Sequence, residues 1–307
     1  MIALDLDGTT LARGHITRRT RRVLETAIER GIPVVIATGR VFSALPSDIF
    51  KIRGLEYVVT SNGAVITDLR SGNVIYENCI SREALDCVCS LLRQNPHFPV
   101  EAFTDGGAYV GEAVYKELEN YGPACGYMSR SYVMRTRTAV PDIISFMEEH
   151  GERIENINIH FETAEGKERM RAEFLQIPDI TLTSSMTHNL EIGGATTSKA
   201  SGLEALSRLT GIGLEHIMAC GDSPNDIAML KAAGLGVAVK NGEPEVLALA
   251  DFVAPSNEEE GVAFAVEKFV LGIERTEWQL KMLSVKNRML GKGRRMARKL
   301  LRRSGRR

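Results

Sequence analysis

Short apolar runs that stop abruptly at polar residues recur along this chain. Ile2 to Leu6 is interrupted only by Asp5 and leads into Asp7-Gly-Thr9-Thr10, and Pro33-Val-Val-Ile-Ala37 leads into Thr38-Gly39-Arg40. Tyr57-Val-Val-Thr60 meets Ser61-Asn62-Gly63-Ala64, and Ile217-Met-Ala-Cys220 meets Gly221-Asp222-Ser-Pro-Asn225-Asp226. Short apolar runs bounded by turn-forming residues predict buried strands. Between the first two, Arg18 to Arg30 carries Val23, Leu24, Ala27 and Ile28 at helical spacing and stops at Gly31. Strand, helix and buried strand predict a parallel sheet covered on both faces. The same rhythm returns with helices at Lys199–Leu209 and Ile227–Ala233 and strands at Leu235–Val239 and Phe252–Ala254, while Val65–Ile66 and Val74–Tyr76 predict a hairpin turning near Ser71-Gly72.

From Ile80 to Met186 the pattern differs. Helical stretches at Arg82–Arg93, Asp142–Glu149 and Ala164–Leu175 alternate with short strands at Val100–Phe103, Ala108–Val110, Ile180–Leu182 and Asn189–Ile192. In Ile154–Phe161 the apolar Ile157, Ile159 and Phe161 alternate with Asn158 and His160, which predicts a sheet with one packed and one open face. The expected organisation is an α/β core of Rossmann-like parallel-sheet type built from residues 1–80 and 187–272. An α+β cap at 81–186 interrupts it, and a basic extension occupies 273–307.

Composition narrows the class without naming a function. At 307 residues, 44% hydrophobic and 25% charged, the chain matches an ordinary globular protein with more than one domain's worth of core. Met1 opens directly into the first strand and no apolar run reaches the length of a membrane span, so a cytoplasmic protein is expected. Cys79, Cys87, Cys89, Cys125 and Cys220 show neither paired nor zinc spacing and are expected to be free thiols. The near-zero net charge hides an asymmetry: Lys281–Arg307 holds 12 of the 38 basic residues and no acidic one, so the preceding body carries 26 against 39, a net of −13.

The polar strand ends are the candidate chemistry. In an open parallel sheet they gather at the carboxyl edge, where ligands bind. Strand alternation would set Asp5 and Asp7 side by side on one face, an arrangement that needs a cation or a shared proton. With Thr38, Asn62, Asp222, Asn225, Asp226 and the helix-opening Lys199, the set suits an oxygen-liganded hard cation beside an anion, Mg²⁺ beside a phosphate being the obvious pairing. The stretch Gly193-Gly-Ala-Thr-Thr-Ser-Lys199 fails as a nucleotide loop, because Ser198 and Ala200 replace the required glycine and hydroxyl residue.

Asp5-Leu-Asp7-Gly-Thr9, Ala37-Thr38-Gly39-Arg40, Ser61-Asn62-Gly63-Ala64, Ser198-Lys199 and Gly221-Asp222-Ser-Pro-Asn225-Asp226 stand in the order and spacing of the haloacid dehalogenase superfamily. The chain most resembles its Cof-type (subfamily IIB) phosphatases, over roughly residues 1–272. The resemblance implies Asp5 as nucleophile, Asp7 as general acid and then base, and Lys199 as the counter-charge. It implies Mg²⁺ on Asp5, the Asp7 carbonyl and Asp222, with Asn225 and Asp226 direct or behind. Thr38, Gly39 and the amides after Asp5 would bind phosphate, Asn62 would orient a small phosphorylated metabolite, and the cap would close over them. Thr10 and Ala200 stand where the family more often has Leu and Gly. A phosphomutase with the same intermediate is one alternative; a non-catalytic binding protein working through its tail is another. In that tail Trp278, Met282, Val285 and Met289 share a helical face ahead of a nearly all-basic stretch, which suggests an anionic membrane surface or nucleic acid as a further partner.

Overall fold

The computed structural model describes residues 1–121 and 130–273. The basic extension from 274 onward lies outside the described residues, and with it the proposed membrane or nucleic-acid contact. Among the described residues no helix is long and apolar enough to cross a membrane.

In chain order the first elements are β1 (Ile2–Leu4), α1 (Arg18–Glu29), β2 (Val34–Ala37), β3 (Tyr57–Thr60), β4 (Val65–Asp68) and β5 (Asn73–Glu77). Then follow α2 (Arg82–Gln94), β6 (Val100–Thr104), β7 (Gly107–Gly111), α3 (Glu112–Tyr121), α4 (Arg130–Thr136), β8 (Thr138–Val140), α5 (Ile143–His150), β9 (Ile154–His160), α6 (Ala164–Phe174), β10 (Ile180–Thr183) and β11 (Asn189–Gly194). The last are α7 (Lys199–Thr210), β12 (Met218–Gly221), α8 (Ile227–Ala232), β13 (Leu235–Val239), α9 (Pro244–Leu249), β14 (Phe252–Ala254) and α10 (Gly261–Ala265).

One sheet runs β14-β13-β12-β1-β2-β3-β4-β5, parallel from β14 to β3 and antiparallel at β4 and β5. Its central strands β1 and β2 are buried on both sides because their residues alternate between two apolar clusters: Ile2, Leu4, Val34 and Ile36 enter one, while Ala3, Val35 and Ala37 enter the other. The expected α/β class is therefore the observed one. Strand order reverses at β1, with β2 on one side and β12 on the other, which is where an open α/β sheet binds its ligands.

The second sheet runs β10-β11-β9-β6-β7-β8. Its packed face holds Val100, Ala102, Ile157, Ile159, Leu190 and Ile192 against α2, α5 and α6. The sequence pattern left the opposite face open to solvent, but it is covered: Glu101, Asn158, His160 and Glu191 are all buried. The first unit lies over it. β11 belongs to this sheet, so the chain returns at Gly194–Ser198 and not at position 186, where the sequence reading ended the inserted module. The outgoing and returning chains touch, Thr197 Oγ1 donating to the Asn78 carbonyl at 2.6 Å and Asn78 Nδ2 to Thr196 Oγ1 at 3.1 Å.

Candidate active site

β1 and β12 pair with Leu4 opposite Cys220, so their ends release Asp5 and Asp222 next to each other. The Asp5 amide donates to the Cys220 carbonyl at 3.0 Å, fixing that position. Asp7 departs from expectation. The strand stops at Leu4, Asp7 has φ −78° and ψ 122°, and Gly8 at φ +82° turns the chain over residues Leu6–Thr10, closed by the Leu11 amide on the Leu6 carbonyl at 2.9 Å. Asp7 therefore does not share the repulsion the alternation implied. Its carboxylate is gripped by Arg40, Nε to Oδ2 at 2.6 Å and Nη2 to Oδ1 at 2.6 Å. Gly8 is required twice: φ +82° favours glycine, and a Cβ there would sit 2.2 Å from Asp222 Oδ2.

Asp5 is buried and paired with Lys199, the first residue of α7, whose Nζ donates to Asp5 Oδ1 and to Asp226 Oδ1 at 2.7 Å each. Ser198 caps that helix, accepting from the Ser201 amide at 3.0 Å, and so sets the lysine at the first helical position. Burial opposes the Lys199 charge, but Asp226 and Asp5 outweigh it and hold the ammonium above the usual lysine value. Burial pushes the Asp5 carboxyl well above its ordinary range; Lys199 pulls the other way, and Asp226 and Asp222 add to the rise. Burial likewise raises Asp222. One ammonium thus bonds two of three crowded carboxylates.

Oxygens of Asp5, Asp222 and Asp226 lie within 4.8 Å of one another, a group that could hold a metal ion. Within it the three are not equivalent. Asp226 Oδ2 accepts from the Asp222 and Ser223 amides at 3.0 Å each and Oδ1 is taken by Lys199, so Asp226 organises the loop and the lysine. Asp222 receives Thr9 Oγ1 on Oδ1 at 2.6 Å and Ser223 Oγ on Oδ2 at 3.2 Å. Asp5 Oδ2 and Asn225 Oδ1 are buried and accept no hydrogen bond from the described residues. The orphaned Asn225 Oδ1 beside this surplus negative charge is what a hard divalent cation would complete, while Asp5 Oδ2 faces the cavity as an open acceptor.

Thr38 follows β2 and is buried; its amide is spent on the Val59 carbonyl at 2.9 Å, and its Oγ1 accepts from the Arg40 amide at 3.2 Å, which leaves the hydroxyl proton to donate. Gly39 brings the backbone close to Asn62, whose Oδ1 would be 3.0 Å from a Cβ there. Asn62, held at φ 57°, bridges the two units: Oδ1 accepts from Asn225 Nδ2 at 3.0 Å and Nδ2 donates to Glu191. Both ends of its amide are therefore engaged.

A cavity of about 210 Å³ joins these pieces. Asp5, Asp7, Thr38, Gly39, Arg40 and Asn225 line its floor, and Phe103, Tyr132, Arg137, Asn158, Ser185, Met186 and Glu191 its roof. The roof is a connected polar network. Arg137 grips Glu101 at 2.8 and 3.0 Å, Asn158 Nδ2 donates to Glu101 at 3.0 Å, and Asn189 Nδ2 donates to Asn158 Oδ1 at 3.0 Å and to Glu191 at 2.8 Å. Burial resists the Glu101 charge, but Arg137 and His160 overcome it and hold the carboxyl well below its ordinary range. Sequence reasoning gave no role to Arg40, Glu101, Arg137 or Glu191. The available signals were a charged residue directly after Thr38-Gly39, and Glu101 and Glu191 at alternate positions of otherwise apolar strands.

A model of the haloacid dehalogenase-like hydrolases matches residues 2–266. The phosphatase YwpJ of Bacillus subtilis is 34% identical over 280 residues, covering 86% of this chain and 97% of that protein. The 5-amino-6-(5-phospho-D-ribitylamino)uracil phosphatase YcsE of the same organism is 28% identical over 275 residues, covering 88% and 96%. Among solved structures, a haloacid dehalogenase-like hydrolase from B. subtilis aligns with a TM-score of 0.75 at 29% identity over 88% of this chain and 99% of that one.

Proposed function

From the premise that the chain belongs to the haloacid dehalogenase-like hydrolases and is a Cof-type phosphatase, we propose that it hydrolyses a small phosphorylated metabolite, a sugar phosphate or phosphorylated cofactor, through a phosphoryl-Asp5 intermediate. The observation that carries this reading is the asymmetry of Asp5: Oδ1 is held by Lys199, while Oδ2 is buried without a hydrogen bond at the cavity floor. A carboxylate fixed by one oxygen and bare at the other is prepared to attack.

In the proposed sequence Asp5 Oδ2 bonds to phosphorus as the bond to the leaving oxygen breaks, and Asp7 gives that oxygen a proton. Asp7 then takes a proton from the water that attacks phosphorus, the bond to Asp5 Oδ2 breaks, and inorganic phosphate is released. Lys199 has two of its three N–H groups committed and presents the third to a phosphoryl oxygen, as Thr38 presents its hydroxyl. Mg²⁺ would be held by Asp5, Asp222 and the Asp7 carbonyl, with Asn225 Oδ1 nearby; it supplies charge neutralisation of nucleophile and phosphate. The roof faces the floor across the cavity and, through Asn158, Ser185 and Glu191, would offer hydrogen bonds to a hydroxylated leaving group. A relative named for a ribitylamino-uracil phosphate supports that substrate class. Neither the phosphomutase nor the non-catalytic alternative is favoured by relatives named as phosphatases.

The test is phosphate release from 4-nitrophenyl phosphate and a panel of sugar phosphates. Asp5→Asn should abolish turnover while leaving the circular dichroism spectrum unchanged, and chelation should remove wild-type activity that added Mg²⁺ restores. Acid-quenched wild type should carry a hydroxylamine-sensitive phosphate that Asp5→Asn lacks. Full activity of Asp5→Asn would refute the assignment.

A further inference from the structure

Arg40 is what gives Asp7 a direction. Asp7 lies at the edge of the cavity, its side chain 53% exposed, and among the described residues no hydrogen bond other than the two from Arg40 orients it. Arg40 is itself secured by Nη1 on the Ala44 carbonyl at 2.9 Å, and its guanidinium carbon lies 5.0 Å from the centre of the Tyr132 ring. Arg40 belongs to the floor and Tyr132, on α4, to the roof. A second guanidinium, that of Arg137, lies 5.1 Å from the same ring and is anchored by buried Glu101. Glu101, Arg137, Tyr132, Arg40 and Asp7 thus form one continuous series from roof to floor.

The surrounding contacts show that the ring is seated, not merely nearby. Val41, Ala44, Phe103 and Ala108 form an apolar cluster, with Tyr132 packed against it, that draws on both units. The Ser43 amide donates to the Gly106 carbonyl at 2.9 Å across the same joint. With the Arg40 side chain only 14% exposed, the cation meets the ring away from water, where such contacts are strongest.

We propose that Tyr132 is a positioning residue for proton transfer: seating of the roof brings its ring against Arg40, and Arg40 then fixes the Asp7 carboxyl toward the leaving oxygen. This rests on the reading of Asp7 as the general acid. A ring that only walls the cavity would affect all substrates of one shape alike. A ring that acts through the acid affects most those whose leaving group needs a proton.

Phenyl phosphate and 4-nitrophenyl phosphate separate the two. Phenol, with an ordinary pKa of about 10, departs better protonated, whereas 4-nitrophenolate departs without help. The measurement is kcat/KM, which ends at phosphorylation of Asp5, and the readout is the ratio between the two substrates, which does not depend on the fraction of enzyme that folds. Tyr132→Leu keeps the apolar cluster filled and removes the aromatic face. It should lower kcat/KM about tenfold on phenyl phosphate, a part of the roughly 10²–10⁴-fold that general acid catalysis contributes, and less than about threefold on 4-nitrophenyl phosphate. Tyr132→Phe, which keeps the face, should restore the wild-type ratio. An unchanged ratio in Tyr132→Leu overturns the proposal, as does a Tyr132→Phe that behaves like Tyr132→Leu. Asp7→Asn on the same pair tests the underlying reading: equal losses on both substrates would remove the acid and the proposal with it. A selective loss in Asp7→Asn beside an unchanged ratio in Tyr132→Leu would remove only the role given to Tyr132.

Discussion

Replacing Lys199 by methionine removes a charge while nearly preserving length, at a position only 1% exposed. Two carboxylate oxygens, Asp5 Oδ1 and Asp226 Oδ1, lose a donor at 2.7 Å each. Removing one partner of a buried pair costs about 3–5 kcal/mol; one ammonium here serves two buried acids, which places the expected loss near the top of that range. For a chain of this size that corresponds to a fall in melting temperature on the order of 10 °C. The pH dependence has a definite sign. Burial raises the folded pKa of Asp5 above its unfolded value of about 4, so this carboxyl favours the folded state when protonated and its contribution declines as pH rises through the folded pKa. Without Lys199 the rise is larger, so the penalty should be greatest at neutral pH and shrink toward pH 5. Urea denaturation in EDTA at pH 7.5 and 5.0 measures both effects, and phosphate release should fall at least about 100-fold, as for loss of a preorganised electrostatic group. A loss below about 1 kcal/mol, the scale of an exposed pair, or one equal at both pH values, would show that Lys199 is not the counter-charge described here.

Two further substitutions probe the frame and the roof. Gly8→Ala places a Cβ 2.2 Å from Asp222 Oδ2 at a φ of +82°, so it should destabilise by about 1–3 kcal/mol and raise the Mg²⁺ concentration needed for half-maximal activity; an unchanged Mg²⁺ requirement would contradict the placement of Asp222. Glu101→Ala strands the buried Arg137 guanidinium and should cost about 3–5 kcal/mol in urea denaturation, whereas a loss typical of a surface pair would contradict its burial.

Much of the fold could be read from the chain because each core strand is a continuous apolar run ending at a turn. Leu235–Val239 and Phe252–Ala254 match residue for residue, and the helices at Arg18 and Lys199 begin where capping residues place them. The same punctuation gathered Asp5, Thr38, Asn62, Lys199 and Asp222 around one sheet edge. Local pattern failed where a turn or a distant partner decides. Alternation put Asp5 beside Asp7, but Gly8 turns the chain, and relief comes to Asp5 from Lys199 and to Asp7 from Arg40. An alternating strand such as Ile154–His160 distinguishes two faces without saying what covers the polar one. Here a second unit does, so Glu101 and Glu191 are interior residues that look superficial in one dimension.

The contact between Asn78 and Thr196–Thr197 bears on how such a protein can diversify. To the catalytic frame, everything between those residues is equivalent to a tight turn, because its two ends meet within a hydrogen bond. Gly194 makes the approach possible, since a Cβ there would lie 2.4 Å from the Cys79 carbonyl. Loop length enters closure entropy only logarithmically, so the frame is nearly indifferent to the size of what it carries. The roof can therefore be enlarged, trimmed or exchanged between relatives without disturbing the register of β1 and β12. New substrates would be acquired by renovation above a joint that leaves the pairing of β1 with β12 unchanged.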